Sequence, residues 1–235
     1  MQRPLGSQVV RNLRVRRASP LVGALLSAIM SLTVVNHPIT NHYISILRSK
    51  QSNAETFRSA SRRVSLSLVY EAARTLLEDE IEIETPLEAA TGTRIAQGIV
   101  AVPVLRSGLG MIDAVLALLP NVSVGYVGVA RDEITIKPEE YYIKLPDMAG
   151  QKVLVLEPML ATGGSLSYAI QMIKDRGGVD ITAICVIAAP VGVDRVQREH
   201  PDVDLVVASI DRDLNDQYYI RPGLGDMGDR LFGTV

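Results

Sequence analysis

The chain has 235 residues, 47% of them hydrophobic, and a formal net charge of −2, enough for one domain with a substantial core. That balance excludes a nucleic-acid binder driven by bulk charge. The lone Cys185 excludes an internal disulfide framework and fits a reducing, cytoplasmic setting.

Residues 1–30 stand apart, with five arginines and no acid, so the remainder carries −7 against −2 for the whole chain. A basic stretch followed by apolar 21–30 reads either as a targeting segment or as an upstream extension with Met30 as the first residue. The apolar part is too short to span a bilayer. We expect the extension, and a single domain over 31–235.

Ser52 and Glu55 have capping-box spacing. After them Phe57, Ala60, Val64, Leu68, Ala72 and Leu76 recur at helical intervals, predicting a helix to about Leu77. Residues 80–98 read as short strands and turns outside the main sheet, a small hood. Strands are predicted at 99–105, 122–129, 152–156, 181–188 and 203–209, and helices at 111–119, 165–176 and 193–198. This alternation predicts an α/β fold: a mainly parallel, twisted sheet with helices on both faces. Ligands should bind beyond the strands' carboxyl ends. Charged and tyrosine-bearing 132–145 reads as a β-hairpin arm, serving as subunit contact or lid, or as a plain solvated loop. Cys185 reads as a small buried hydrophobe, and His37, His42 and His200 form no recognisable metal set.

Four segments point to chemistry. In 153–165 an apolar strand ends at Glu157, and Pro158, Met159, Leu160 and Ala161 lead to Thr162, Gly163, Gly164 and Ser165 before a helix. Glycines let backbone approach a phosphate, and N–H groups and dipole at a helix start favour the anion. The spacing is not a Walker A loop, and a carboxylate at the loop's start suits ribose hydroxyls or Mg2+ bound through them. The run 103–111 takes a second strand into a turn with Arg106, whose donor fork suits pyrophosphate. Arg131 ends the neighbouring strand. The glycine-rich run 219–234 can present bare backbone groups to a flat base with an imide edge, such as uracil; a plain surface tail is the alternative.

Together these segments resemble the uracil phosphoribosyltransferase family over roughly residues 34–235. The resemblance is carried by VNHP at 35–38, YEA at 70–72, ETP at 84–86, LRSGLG at 105–110, EYY at 140–142, PMLATGGS at 158–165, IAAP at 187–190, HPD at 200–202, and PGLGD at 222–226 running on to Gly233. It implies a type I phosphoribosyltransferase fold and a reaction of uracil with phosphoribosyl pyrophosphate (PRPP) that gives UMP and pyrophosphate, a step of pyrimidine salvage. It assigns PRPP to Arg106, Arg131, the loop from Glu157 to Ser165, and Asp226. It assigns uracil to Ile220, Gly225, Asp226 and Met227, and makes Arg106, Glu157 and Asp226 the catalytic residues. It further implies Mg2+ held through PRPP without a direct protein ligand set, a homodimer or larger assembly, a GTP effector, and no nucleic-acid or membrane partner.

Four residues depart from the family pattern. Glu157 stands where Asp is usual, Met227 and Ser107 where Ala is usual, and Arg221 where an apolar residue is usual. They leave open two alternatives: a paralogue that binds PRPP without turnover, and a transferase for another base.

Overall fold

The computed structural model describes residues 31–119, 121–131 and 138–234. The proposed extension and the tip of the arm lie outside these residues. Nine strands form the main sheet. Its spine runs β1 (Leu32–Val34), β11 (Asp204–Ile210), β10 (Asp180–Ala188), β8 (Lys152–Leu156), β4 (Ile99–Leu105), β6 (Tyr126–Arg131) and β7 (Pro138–Lys144). Every pairing is parallel except β6 with β7. The central strands β4, β8 and β10 are buried almost throughout, because helices cover both faces and leave no solvated side to alternate towards. The fold is therefore the α/β architecture expected from the sequence.

Alternate side chains of these strands enter two cores. Ala101, Leu154, Leu156 and Ile184 pack under α1 (Pro38–Arg48), α2 (Ala54–Ala72) and α3 (Leu109–Leu118). Val102, Val153, Val155 and Ala183 pack under α4 (Gly164–Lys174) and α5 (Pro190–Glu199). Cys185 sits fully buried in the second core, where burial first, and the nearby Glu157 second, push its thiol well above the ordinary range. It is the inert small hydrophobe expected.

Several local expectations need correction. The cap of α2 is Asn53, which accepts a hydrogen bond from Thr56 N at 2.9 Å. Ser52 instead donates its hydroxyl to Ile46 O at 2.6 Å, closing the α1–α2 turn, so its side chain is already spent. The helix ends at Ala72 and tightens into a 3-10 turn over Ala73–Thr75, which lets Leu76 leave in an extended conformation and still pack on the core. The strand predicted over 122–129 divides at Gly125 into β5 (Ser123–Val124), which pairs with β4, and β6. A β-carbon at Gly125 would meet Leu145 at 2.8 Å and Pro146 at 2.9 Å, so the division lets the chain run past them.

The hood is a separate antiparallel hairpin, β2 (Glu78–Glu84) with β3 (Ala89–Ile95), and most of its residues are exposed. The arm is anchored differently: its return strand, β7, is itself the edge of the main sheet. Periodicity did not reveal β1, α1, the short pair β12 (Asp213–Leu214) and β13 (Ile220–Arg221), or α6 (Met227–Phe232).

Candidate active site

The predicted loop sits where β8 ends. Glu157 N donates to Ile184 O at 3.1 Å, and Met159–Leu160 forms β9 against β10, so the loop's first half is fastened to the sheet. The chain then turns at Gly163, whose φ of +78° is left-handed and whose added β-carbon would lie 2.9 Å from Gly192 O. Only glycine meets both conditions cheaply. Gly163 is also the N-cap of α4, with no side chain capping it, so the first helical N–H groups remain available to an anion. Glu157, Met159, Thr162, Gly163, Gly164 and Ser165 line a hollow of about 70 Å³ there.

Glu157 is buried, and desolvation pushes its carboxyl up to about 8 against a weaker opposing hydrogen bond from the Met159 backbone. It is therefore mostly protonated at neutral pH.

A second cleft, of about 210 Å³, is lined by Arg106, Ser107, Met159, Asp226, Met227 and Gly228. Met159 borders both spaces, so the phosphate-sized hollow and this cleft adjoin. Arg106 follows β4 directly and is largely exposed. Among the described residues it pairs loosely with Asp229, at 3.6 Å. The turn behind it needs Gly108, since a β-carbon there would lie 2.4 Å from Leu156 O. In the β4–β6 register Leu105 faces Gly128, which puts Arg131 on the neighbouring strand end beyond the level of Arg106.

The C-terminal run is ordered rather than a tail. Asp226 caps α6, accepting from Asp229 N at 2.8 Å, and Gly225 before it is left-handed. Met227 is only 1% exposed and packs into the first core while bordering the cleft. Ile220 is buried in β13 against the same core and does not border the cleft. Arg221 pairs with Asp213, with contacts of 2.8 and 2.9 Å, and does not border the cleft.

Two arginines that sequence reading missed hold this run in place. Arg48 bonds Asp211 at 2.5 and 2.7 Å, and Gly223 O at 2.9 Å, while Gly223 N donates back to Asp211 at 2.8 Å. Burial alone would raise Asp211, but the hydrogen bonds from Arg48 and Gly223 and the charge of Arg48 carry it below the ordinary range. Arg230 lies over the Phe57 ring at 4.2 Å and donates to Leu47 O, Ser49 O and Leu224 O. Arg48 and Asp211 lie 163 residues apart, so no local pattern could have paired them. A larger groove of about 640 Å³, bordered by Val34, His37, Tyr70 and Arg74, holds none of the predicted site residues.

A glycine-bounded helix start, a buried acid at a strand end and a basic turn on the next strand, all on this sheet, are the features expected of a phosphoribosyltransferase. The chain belongs to the uracil phosphoribosyltransferase family, whose profile matches residues 34–234. It is 50% identical over 207 residues to the uracil phosphoribosyltransferase of Alkaliphilus oremlandii, covering 86% of this chain and 98% of that one. The enzyme of the same name from Salinibacter ruber is 46% identical over 205 residues, covering 87% and 98%. A solved structure of a protein from Aquifex aeolicus superposes with a TM-score of 0.81 at 36% identity, covering 86% of this chain and 97% of that one.

Proposed function

We propose that this chain transfers the phosphoribosyl group of PRPP to uracil, forming UMP and pyrophosphate in pyrimidine salvage. The observation that carries the reading is the adjacency of the phosphate-sized hollow and the Arg106–Asp226 cleft across Met159. The hollow suits a 5′-phosphate, and the cleft suits the pyrophosphate and the base.

In the reaction the bond from ribose C1′ to pyrophosphate breaks, a bond from C1′ to uracil N1 forms, and N1 gives up its proton. Such a centre develops positive charge at the sugar, so positioning and electrostatics dominate catalysis. The free N–H groups at the start of α4, with Thr162 and Ser165, hold the 5′-phosphate. Arg106, with Arg131 on the adjoining strand, stabilises the departing pyrophosphate. Glu157 and Asp226 orient the ribose and favour its developing charge. Backbone groups of 225–227, on a segment held by Arg48 and Arg230, read the imide edge of the base. The arm serves as lid or subunit contact.

Among the described residues no three His, Cys, Asp or Glu side chains converge as a metal site. The residues present suit a Mg2+ that arrives on PRPP and is held through it, with the Glu157 carboxylate at the start of the loop beside the ribose hydroxyls. Bound there, Mg2+ would neutralise charge on the leaving pyrophosphate.

The direct test is incubation with PRPP, Mg2+ and each nucleobase in turn. UMP is the expected product. Donor binding without turnover, or product from another base alone, would overturn the uracil assignment. Arg106→Ala should lower kcat/KM by about a hundredfold or more while leaving the fold intact. The family likeness also supports a cytoplasmic homodimer or larger assembly with activation by GTP, which sedimentation and assays with added GTP would check. No described helix is long and apolar enough to cross a membrane.

A further inference from the structure

Behind the phosphate loop lies a chain of polar contacts that the proposed mechanism does not use. Ser167, in the first turn of α4, donates its hydroxyl to the Glu199 carboxylate on α5. His200 fixes the same serine from below: Nε2 lies 2.8 Å from Ser167 Oγ and 3.0 Å from Ser167 O. Lys174 Nζ lies 3.4 Å from His200 Nδ1, and burial first, then the Lys174 charge, lower the imidazole below its ordinary range. Glu199 in turn accepts from Arg195 Nε at 3.0 and 3.2 Å.

This places Arg195 against the glycine turn. Its Nη1 lies 3.2 Å from where a β-carbon of Gly164 would stand, and its Cβ and Cδ lie 3.3 Å from the corresponding point at Gly163. A cation beside a helix N-terminus has the wrong sign for the helix dipole. Glu199 holds Arg195 there, and an anion on the loop would make the placement favourable.

We propose that Arg195, held by Glu199 and Ser167 behind the glycine turn, is a positioning residue for the 5′-phosphate of the sugar donor, fixing the loop and adding a positive charge behind it. The inference rests on the reading of 157–165 as the donor's phosphate loop. It concerns neither the pyrophosphate nor the base.

The test compares wild type, Arg195→Gln, Arg195→Lys and Glu199→Gln, using calorimetric binding of ribose 5-phosphate and of pyrophosphate together with steady-state kinetics. Arg195→Gln should weaken ribose 5-phosphate binding, and raise KM for PRPP, by about tenfold at low salt, with less effect at high salt. Pyrophosphate affinity, kcat and KM for uracil should stay within about twofold. Arg195→Lys should recover most of the loss, and Glu199→Gln should show a smaller loss of the same pattern. Unchanged ribose 5-phosphate affinity in Arg195→Gln, equal weakening of both ligands, or no recovery with lysine would overturn the role of Arg195. Wild type that binds neither ribose 5-phosphate nor PRPP would overturn the loop reading as well. Wild type that binds both but forms no UMP would remove only the uracil assignment and leave the binding comparison decisive.

Discussion

Glu157 shows how burial changes the charge of a site residue. Its carboxyl is raised from 4.5 to about 8 by desolvation, so the folded chain binds a proton there that the unfolded chain has released. Stability from this group is full below about pH 4.5 and is lost as pH rises towards about 8. Glu157→Gln should flatten that decline in urea unfolding measured between pH 5 and 8. Ribose hydroxyls or a bound cation favour the ionised form. Donor binding at pH 7 should therefore release about one more proton in wild type than in Glu157→Gln, read by calorimetry in buffers of different ionisation enthalpy. Met227 illustrates the opposite case, a bulky residue turned into the core. Met227→Ala should cost about 2–5 kcal/mol in chemical denaturation, because it removes a side chain that is 1% exposed. The sequence marked both residues as departures from the family pattern. Only packing could say that one is a titration problem and the other a packing element.

The proposed phosphate loop and the proposed base segment are legible in the sequence to different degrees. The strand, acid, glycine pair and helix of 152–174 lie in one short stretch, so spacing alone exposed them. The base loop depends on Arg48 and Arg230, which reach it from or across α1 and α2. Arg48→Met should leave Asp211 buried without its partner, destabilising the chain by about 3–5 kcal/mol. It should also raise KM for uracil more than KM for PRPP, because Asp211 holds Gly223 N. A parallel rise in both constants would show that the clamp is structural only. The missed helix α6 has the same origin: a six-residue helix after a glycine run has too few turns to show a period, and it stands on its Asp226 cap and on Met227 and Leu231 in the core.

For the whole molecule, the two cores set which parts can be removed. Leu154 and Leu156 enter the core beneath α1–α3, and Leu156→Ala should cost about 2–5 kcal/mol. The hood hairpin pairs only with itself and is largely exposed, so replacing 79–94 with a short turn should leave the melting temperature within a few degrees. A larger fall would mean that the hairpin supports the domain. The sequence by itself determined the alternating α/β class, the central strands and the strand–acid–glycine turn–helix stretch of 152–174, because these depend on local periodicity and on glycines at fixed spacing. The tertiary structure decided the rest: which strand ends adjoin, that Met159 joins hollow to cleft, that Arg195 stands behind the loop, and that Arg48 and Arg230 hold the base segment. Those contacts join residues far apart in the chain, and burial, not sequence spacing, sets the charge state of Glu157.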